Sequence, residues 1–161
     1  MSSIFSQIIN KKLPANIIYE NDTCIAFMDI MPIKEGHVLV VPKLEVDYIF
    51  DLPIKEYKEL FCFAKLISNA MKKVFKCKRV GLSVIGFEVP HCHIHLVPIN
   101  KIEDMNFNLK SKSTQFHLAK IAKEISKHQQ LLVNKKFFVQ VNIGREKTKS
   151  GILPEDTKEF L

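Results

Sequence analysis

Apolar and polar residues alternate strictly in one segment near the middle of the chain. From His91 to His95, histidine occupies every second position, with cysteine and isoleucine between the histidines, and the apolar pair Leu96-Val97 follows before Pro98. Because successive side chains of a strand point to opposite faces, this pattern predicts a strand from His91 to Pro98 with His91, His93 and His95 on one face. The apolar residues between them face the core, so the histidine face is the candidate for chemistry.

Shorter apolar runs predict the remaining strands. Two runs joined by a polar turn have the pattern of a hairpin, and β-branched runs bounded by glycine or proline are typical of further strands. These additional predicted strands are Ile17–Tyr19, Cys24–Phe27, His37–Pro42, Val80–Ile85 and Phe137–Val141.

Apolar residues at steps of three and four predict three helices. A short one covers Ile4–Asn10 and ends before Pro14, because proline cannot continue a helix. The longest covers Pro53–Phe75, and the third begins after Ser113 or Thr114, either of which can cap it. The long helix should lie across the sheet.

Composition and charge limit the possible classes of function. The 161 residues, 47% of them hydrophobic, suit one globular domain. A net charge of +7 favours anionic ligands, but the lysines are scattered rather than clustered, which is typical of a solvated surface. We therefore expect no specific nucleic-acid binding.

The cysteines and the N-terminus bear on location. Cys24, Cys62, Cys77 and Cys92 are far apart, form no CxxC pair and follow no export signal. No apolar stretch approaches the roughly 18 residues that a membrane span needs. These features predict reduced thiols, a cytoplasmic protein and no membrane association.

Three interpretations of the histidine cluster compete. A metal site is disfavoured because residues i and i+4 of a strand are about 13 Å apart, and no carboxylate or cysteine stands at a supporting spacing. A structural role would need hydrogen-bonding partners for three imidazoles at once. Catalysis on a phosphate ester or amide suits the cluster, since neutral imidazole is nucleophilic near pH 7 and its neighbours can orient it.

The segment from Gly86 to Pro98 has the pattern Gly-x-Glu-Val-x-His-x-His-x-His-Leu-Val-Pro and resembles the signature of the histidine triad family of nucleotide hydrolases and transferases. Blocks at 4–15, 26–32 and 36–43 resemble the family's N-terminal blocks in order and spacing. The resemblance covers about residues 3 to 100. It implies an α+β fold: a five-stranded antiparallel sheet with one long helix and a short N-terminal helix.

The resemblance also implies a mechanism. His93 aligns with the nucleophile that attacks the α-phosphorus and forms a nucleotidyl-histidine intermediate, which water then hydrolyses. His95 aligns with a phosphate-contacting histidine, and His37 with a fourth histidine near the phosphate. The backbone carbonyl of His91 is expected to hold the Nδ1 proton of His93, which leaves Nε2 free to attack.

For the nucleoside, Asp29 aligns with the carboxylate that accepts hydrogen bonds from ribose hydroxyls, although a turn residue is an equal interpretation. Apolar residues align with the walls around the purine, and these could equally be core. They are Ile4, Phe5, Ile8, Phe27 and Ile30.

Two positions and one segment near the phosphate depart from the family's pattern. Phe87, next to Gly86, stands where many members carry glutamine. Glu88 stands where several carry serine or threonine, and a carboxylate facing a phosphate repels it unless it is protonated or points away. The segment 81–86 is shorter than usual and offers Ser83 as its small polar side chain.

Together these observations predict a hydrolase that cleaves an adenosine phosphoramidate or related AMP conjugate at the α-phosphate. The alternatives are a dinucleoside polyphosphate hydrolase and a non-catalytic purine nucleotide sensor. We expect no required cofactor, with Mg²⁺ accompanying only a polyphosphate substrate.

The resemblance further implies a homodimer through Tyr57–Phe75 and Val80–Ile85, with a continuous sheet across both copies. We assign 1–130 to the histidine triad domain and 131–161 to a C-terminal extension of uncertain structure.

Overall fold

A five-stranded antiparallel sheet forms the centre of the computed structural model, which describes residues 2–133. The order of strands across it is β1-β2-β3-β5-β4, so β4 and β1 are its edges. The strands are β1 (Ile17–Glu20), β2 (Cys24–Met28), β3 (Val38–Pro42), β4 (Arg79–Ser83) and β5 (Ile94–Ile99). The α+β fold with a five-stranded antiparallel sheet is confirmed.

Two helices cover one face of this sheet. They are α2 (Ile54–Val74) and α3 (Gln115–Val133). At the start of α3, Thr114 Oγ1 accepts a hydrogen bond from the His117 N–H, as expected of a helix cap. Leu60, Ile67 and Met71 of α2 are fully buried in a cluster that also contains Ile94 and Leu96 of β5. The apolar side of the histidine segment is therefore core, as predicted.

The opposite face carries a smaller apolar cluster beneath the N-terminal helix α1 (Ile4–Ile9). Phe5 of α1 packs there with Phe27 of β2 and Leu39 of β3. Because β2 and β3 are covered on both faces, they are continuously apolar rather than alternating. His95 pairs with Leu39 across β3 and β5, which puts its ring on the α1 face.

The predicted strand His91–Pro98 is wrong in its first half, since β5 begins at Ile94. The Cys92 N–H donates to the carbonyl of Val46, in the loop after β3, at 2.7 Å, and the His91 N–H donates to Val89 at 2.8 Å. Backbone groups bonded in this way are not available to a ladder. His91 and His93 therefore lie in an irregular segment that leads into the sheet.

The predicted strand Phe137–Val141 lies outside the described residues, as does most of the extension predicted for 131–161. The other predicted helices and strands are present, with ends shifted by a few residues. Within the described residues, every helix is too short or too polar to cross a bilayer.

Candidate active site

His93 lies at the junction of two cavities on the α1 face and lines both of them. Its Nδ1 is 2.8 Å from the carbonyl oxygen of His91. A carbonyl can only accept a hydrogen bond, so the proton of the neutral ring is on Nδ1 and Nε2 carries a lone pair. The ring of Phe5 packs edge-on against His93, with centroids 5.0 Å apart, which restricts its rotation.

His91 is fixed by hydrogen bonds at both ring nitrogens. Its Nε2–H donates to the carbonyl of Pro42 at 2.8 Å, so its Nδ1 accepts from the Ser3 hydroxyl, also at 2.8 Å. Ser3 is the N-cap of α1, because its Oγ also accepts from the Ser6 N–H at 3.0 Å. The start of the first helix is thus connected to the residue whose carbonyl holds the His93 ring.

Glu45, in the loop after β3, completes this N-terminal network. Its carboxylate accepts from the Ser3 N–H at 3.1 Å and from the Ser6 hydroxyl. These two donors, the Ser6 hydroxyl first, hold the pKa of Glu45 below its ordinary value. Neither serine nor Glu45 stood out in the sequence, because their spacing matches no motif and they meet only in the folded chain.

A second chain of contacts connects His95, His37 and Asp29. His95 Nδ1 is 3.0 Å from His37 Nε2, so one proton lies between the two rings. The other nitrogen of His37, Nδ1, lies 3.2 Å from Asp29 Oδ2 and 3.3 Å from the Ile33 N–H. Asp29 is also a turn residue, since its Oδ1 accepts from the Met31 N–H at 2.8 Å.

All four histidines are almost fully buried, which favours their uncharged forms. Burial lowers the pKa of His91, His93 and His37 below the ordinary value. Burial, with His93, His37 and Lys110 nearby, lowers the pKa of His95 to about 3. Near neutral pH the site therefore contains neutral imidazoles, and His93 has its lone pair at Nε2.

The larger cavity is apolar and has a volume of about 470 Å³, within the usual range for small-molecule sites. It is lined by all five apolar residues assigned to the purine site from the sequence. Phe5 and Phe27 are core residues with one side facing the cavity, whereas Ile4 and Ile30 are 45% and 55% exposed at its rim. Val89 and Leu39 are among the further apolar residues of the wall, and neither was identified from the sequence.

The smaller cavity, about 120 Å³, is more polar and adjoins the first. Gly86 and Glu88 line it, as does Phe87, whose ring is 94% exposed. Gly86 has a φ of +80°, a conformation that glycine adopts without strain. Ser83 is the cross-strand partner of His95, but it does not line either cavity.

Phe107 and Lys110 also line the smaller cavity, and sequence reasoning missed both. They follow β5 in the segment 106–114, where the ring of Phe107 packs edge-on against His95 with centroids 4.9 Å apart. Ser111 holds the segment in place, because its N–H donates to the Pro32 carbonyl at 3.1 Å. No local pattern in 106–114 indicates these contacts, which join residues far apart in sequence.

The spacing of Asp29, His37 and His95 corrects one expectation about metals. Each offers one ligand atom, and these atoms lie within 4.8 Å of one another, close enough to hold a cation. No supporting carboxylate was recognisable near the histidines in the sequence, because Asp29 reaches them only through the fold. In the structure, the same atoms form the contact chain described above.

Comparisons with known proteins agree with this architecture. A family model described as "HIT domain" matches residues 10–102. An uncharacterized HIT-like protein of Borreliella burgdorferi is 34% identical over 116 residues, which are 68% of this chain and 84% of that protein. Adenosine 5'-monophosphoramidase HNT1 of Saccharomyces cerevisiae is 32% identical over 96 residues, 59% of this chain and 61% of that protein. A crystal structure of a Hit-like protein from Bartonella henselae, 28% identical, superposes with a TM-score of 0.73 over 79% of this chain and 96% of that one.

Proposed function

Because the chain belongs to the HIT family of nucleotide hydrolases and transferases, we propose that it hydrolyses adenosine phosphoramidates or related AMP conjugates at the α-phosphate, through a covalent intermediate on His93. One observation carries this proposal. The Nδ1 proton of His93 is held by the His91 carbonyl at 2.8 Å, while the ring lines both the apolar and the polar cavity. In this arrangement the nucleoside of the substrate lies on one side of the His93 ring and the leaving group lies on the other.

The reaction has two steps. In the first, the lone pair of His93 Nε2 forms a bond to the α-phosphorus as the bond from phosphorus to the leaving amine breaks, and the amine takes up a proton from solvent. In the second, water forms a bond to the same phosphorus as the bond from phosphorus to Nε2 breaks; water's proton passes to solvent, AMP leaves and His93 is again neutral with its lone pair at Nε2. His91 keeps the Nδ1 proton in place during both steps, and His95, oriented by His37, contacts the phosphoryl oxygens.

The apolar cavity takes the purine and Asp29 takes the ribose hydroxyls. Ile4, Phe5 and Phe27 give the flat, apolar walls that suit a base, and the Asp29 carboxylate lies where both cavities meet. An adenosine conjugate is supported by the similarity to the yeast relative, which is an adenosine 5'-monophosphoramidase. Binding of a purine nucleotide is thus part of the proposal.

The covalent step needs no metal, because a neutral imidazole attacks phosphorus directly. With a polyphosphate substrate, Mg²⁺ would arrive bound to the substrate's own oxygens. We expect turnover of a phosphoramidate to be unchanged by EDTA. Loss of turnover with EDTA and recovery with Zn²⁺ would assign Asp29, His37 and His95 to a required metal instead.

We also propose a homodimer through α2 and β4. An apolar groove lies beside this edge of the sheet and is lined by the side chains of Phe50, Tyr57 and Phe61, among others. Phe50 and Ile54 are each 69% exposed, and β4 leaves one edge of backbone groups unpaired within the described residues. A second copy pairing along β4 would cover both features.

The test is release of AMP from an adenosine phosphoramidate. We expect His93→Ala to reduce kcat/KM by at least about 10³-fold while still binding AMP, because only the nucleophile is removed. His117→Ala, which changes a surface histidine of α3, is the matched control. Tight binding of AMP with no turnover of any phosphoramidate or polyphosphate by the unmodified protein would contradict the enzyme and favour a sensor.

A further inference from the structure

The five residues that line both cavities have an unbalanced set of charges. They are Asp29, Glu88, His93, His95 and Lys110. Two are carboxylates, two are histidines that burial keeps neutral, and one is a lysine. A phosphate placed at this junction adds further negative charge to a partly buried site, which is unfavourable without a cation.

Among residues 2–133, Lys110 is the one lysine or arginine that lines either cavity. Its side chain is 28% exposed, so it is screened less than the scattered surface lysines. Its charge also acts on two of the buried histidines. Burial is the main cause that lowers the pKa of His37 and His95, and Lys110 is one of the further groups that lower both. Lys110 is therefore close enough to influence charge where the phosphate would bind.

In the structure, Lys110 Nζ is paired with the carboxylate of Glu88. The Glu88 side chain is 72% exposed, and exposed ion pairs of this kind contribute little stability because water screens them. A phosphate deeper in the site offers Lys110 more negative charge and less screening by water. Exchange of Glu88 for phosphate is thus favourable, and Glu88 can swing into solvent.

Lys110 also occupies a fixed place beside the histidines. Three residues before it, Phe107 packs against His95, and the next residue, Ser111, is bonded to Pro32 at 3.1 Å. The residues matched by the HIT domain model end at 102, so Lys110 is not part of that pattern. It lies in the segment that continues the chain after β5.

We propose that Lys110 is the phosphate-binding cation of this site, and that Glu88 is its partner in the ligand-free protein, displaced when a nucleotide phosphate binds. The proposal rests on the proposed function, because it assumes that a nucleotide occupies the two cavities. It also accounts for the carboxylate at position 88: Glu88 is neutralised by Lys110 before binding and is replaced by the phosphate afterwards.

The experiment compares binding of AMP and of adenosine, which lacks the phosphate, by titration calorimetry. We expect Lys110→Met to weaken AMP binding by about 10- to 100-fold, the loss of one charge-assisted hydrogen bond, and to leave adenosine binding within about twofold. Lys110→Arg should keep AMP affinity within about fivefold, because it retains the charge. Lys112→Met, two residues along the same segment and exposed, is the control and should bind AMP as the unmodified protein does.

Glu88→Gln tests the exchange itself. Removing the competing carboxylate should leave AMP binding as tight as in the unmodified protein or tighter. AMP binding that is unchanged in Lys110→Met, or weakened equally for AMP and adenosine, would overturn the role of Lys110. AMP binding weakened tenfold in Glu88→Gln would overturn the exchange.

These outcomes are separable from a failure of the proposed function. If Lys110→Met binds AMP normally while His93→Ala abolishes turnover, the hydrolase stands and this inference falls. If Lys110→Met loses AMP selectively while His93→Ala turns over substrate normally, the phosphate site stands and the covalent mechanism falls.

Discussion

His93 is held by a backbone carbonyl rather than by a carboxylate. A carboxylate at Nδ1 would favour the imidazolium form, whereas the His91 carbonyl fixes the tautomer without adding a negative charge. Burial is the largest influence and lowers the pKa of His93, whereas the hydrogen bond to the His91 carbonyl raises it by less. The ring therefore stays neutral, with a free lone pair at Nε2, even in mildly acidic solution.

This environment predicts the pH dependence of catalysis. Because burial lowers the pKa of His93 from its ordinary 6.5, its neutral form persists below that pH, and the acid limb of kcat/KM should have its midpoint below 6.5. Steady-state rates from pH 4.5 to 8 with an adenosine phosphoramidate measure it. Enzyme returned from each acidic sample to pH 7 must regain full activity. An acid limb with a midpoint above 6.5 would contradict the neutral, buried nucleophile.

Ser3 is predicted to position the nucleophile through His91. Ser3→Ala removes the hydroxyl that donates to His91 Nδ1, so the His91 carbonyl is held less firmly and kcat should fall about tenfold. It also removes the cap of α1, at a cost of about 1 kcal/mol in the free energy of unfolding. Kinetics and urea unfolding of the same preparations measure the two effects.

Two replacements separate these effects. Ser3→Thr keeps the cap and the donor, and should restore both stability and kcat. Ser3→Asp keeps a capping oxygen but has no proton to donate to a neutral His91, so kcat should remain low. If kcat in Ser3→Ala and Ser3→Asp equals that of the unmodified protein, Ser3 is a helix cap and nothing more.

Among the elements, β4 is one of the two edges of the sheet, and Leu82 on it is 48% exposed. We expect Leu82→Glu to convert the proposed dimer into a monomer, because like charges would face each other across paired β4 strands. Light scattering coupled to size-exclusion chromatography measures the mass. Phe116→Glu, an exposed apolar position on α3, should leave the dimer intact. An unmodified protein that is monomeric at high micromolar concentration would contradict the dimer.

The elements also show how far the sequence alone leads. The long helix and the apolar strands β2 and β3 were predictable because their patterns are set by burial of their own residues. The start of β5 was not, since the Cys92 N–H bonds to Val46, a contact between distant segments. The residues proposed for the purine site were chosen through the family resemblance, and they line one cavity of the structure. Lys110 and Ser3 could not, because only the folded chain brings them to the histidines.

At the scale of the whole molecule, the folded chain buries four histidines, His37, His91, His93 and His95, in their neutral forms. In the unfolded chain they titrate near 6.5, and in the folded chain at lower pH, about 3 for His95. Between pH 6.5 and pH 3 the unfolded chain binds more protons than the folded chain. The free energy of unfolding should therefore have its full value above pH 6.5 and should decrease as the pH falls toward 3.

We expect this loss to reach a few kcal/mol between pH 7 and pH 4, measured by urea unfolding at each pH. His95→Gln, whose side chain cannot be charged, should lose less on acidification than the unmodified protein. His117→Gln, which changes an exposed histidine, should follow the unmodified protein. Equal losses in His95→Gln and His117→Gln would contradict the account of burial.

The central claim is that His93 forms a bond to the α-phosphorus, and mass spectrometry tests it directly. The protein is mixed with an adenosine phosphoramidate, quenched in alkali within milliseconds, where phosphohistidine-type bonds survive, and digested. We predict one added AMP unit on the peptide that contains His93, present during turnover and gone when substrate is exhausted. Turnover at full rate with no AMP on His93 at any quench time, or with AMP on another residue, would contradict the claim.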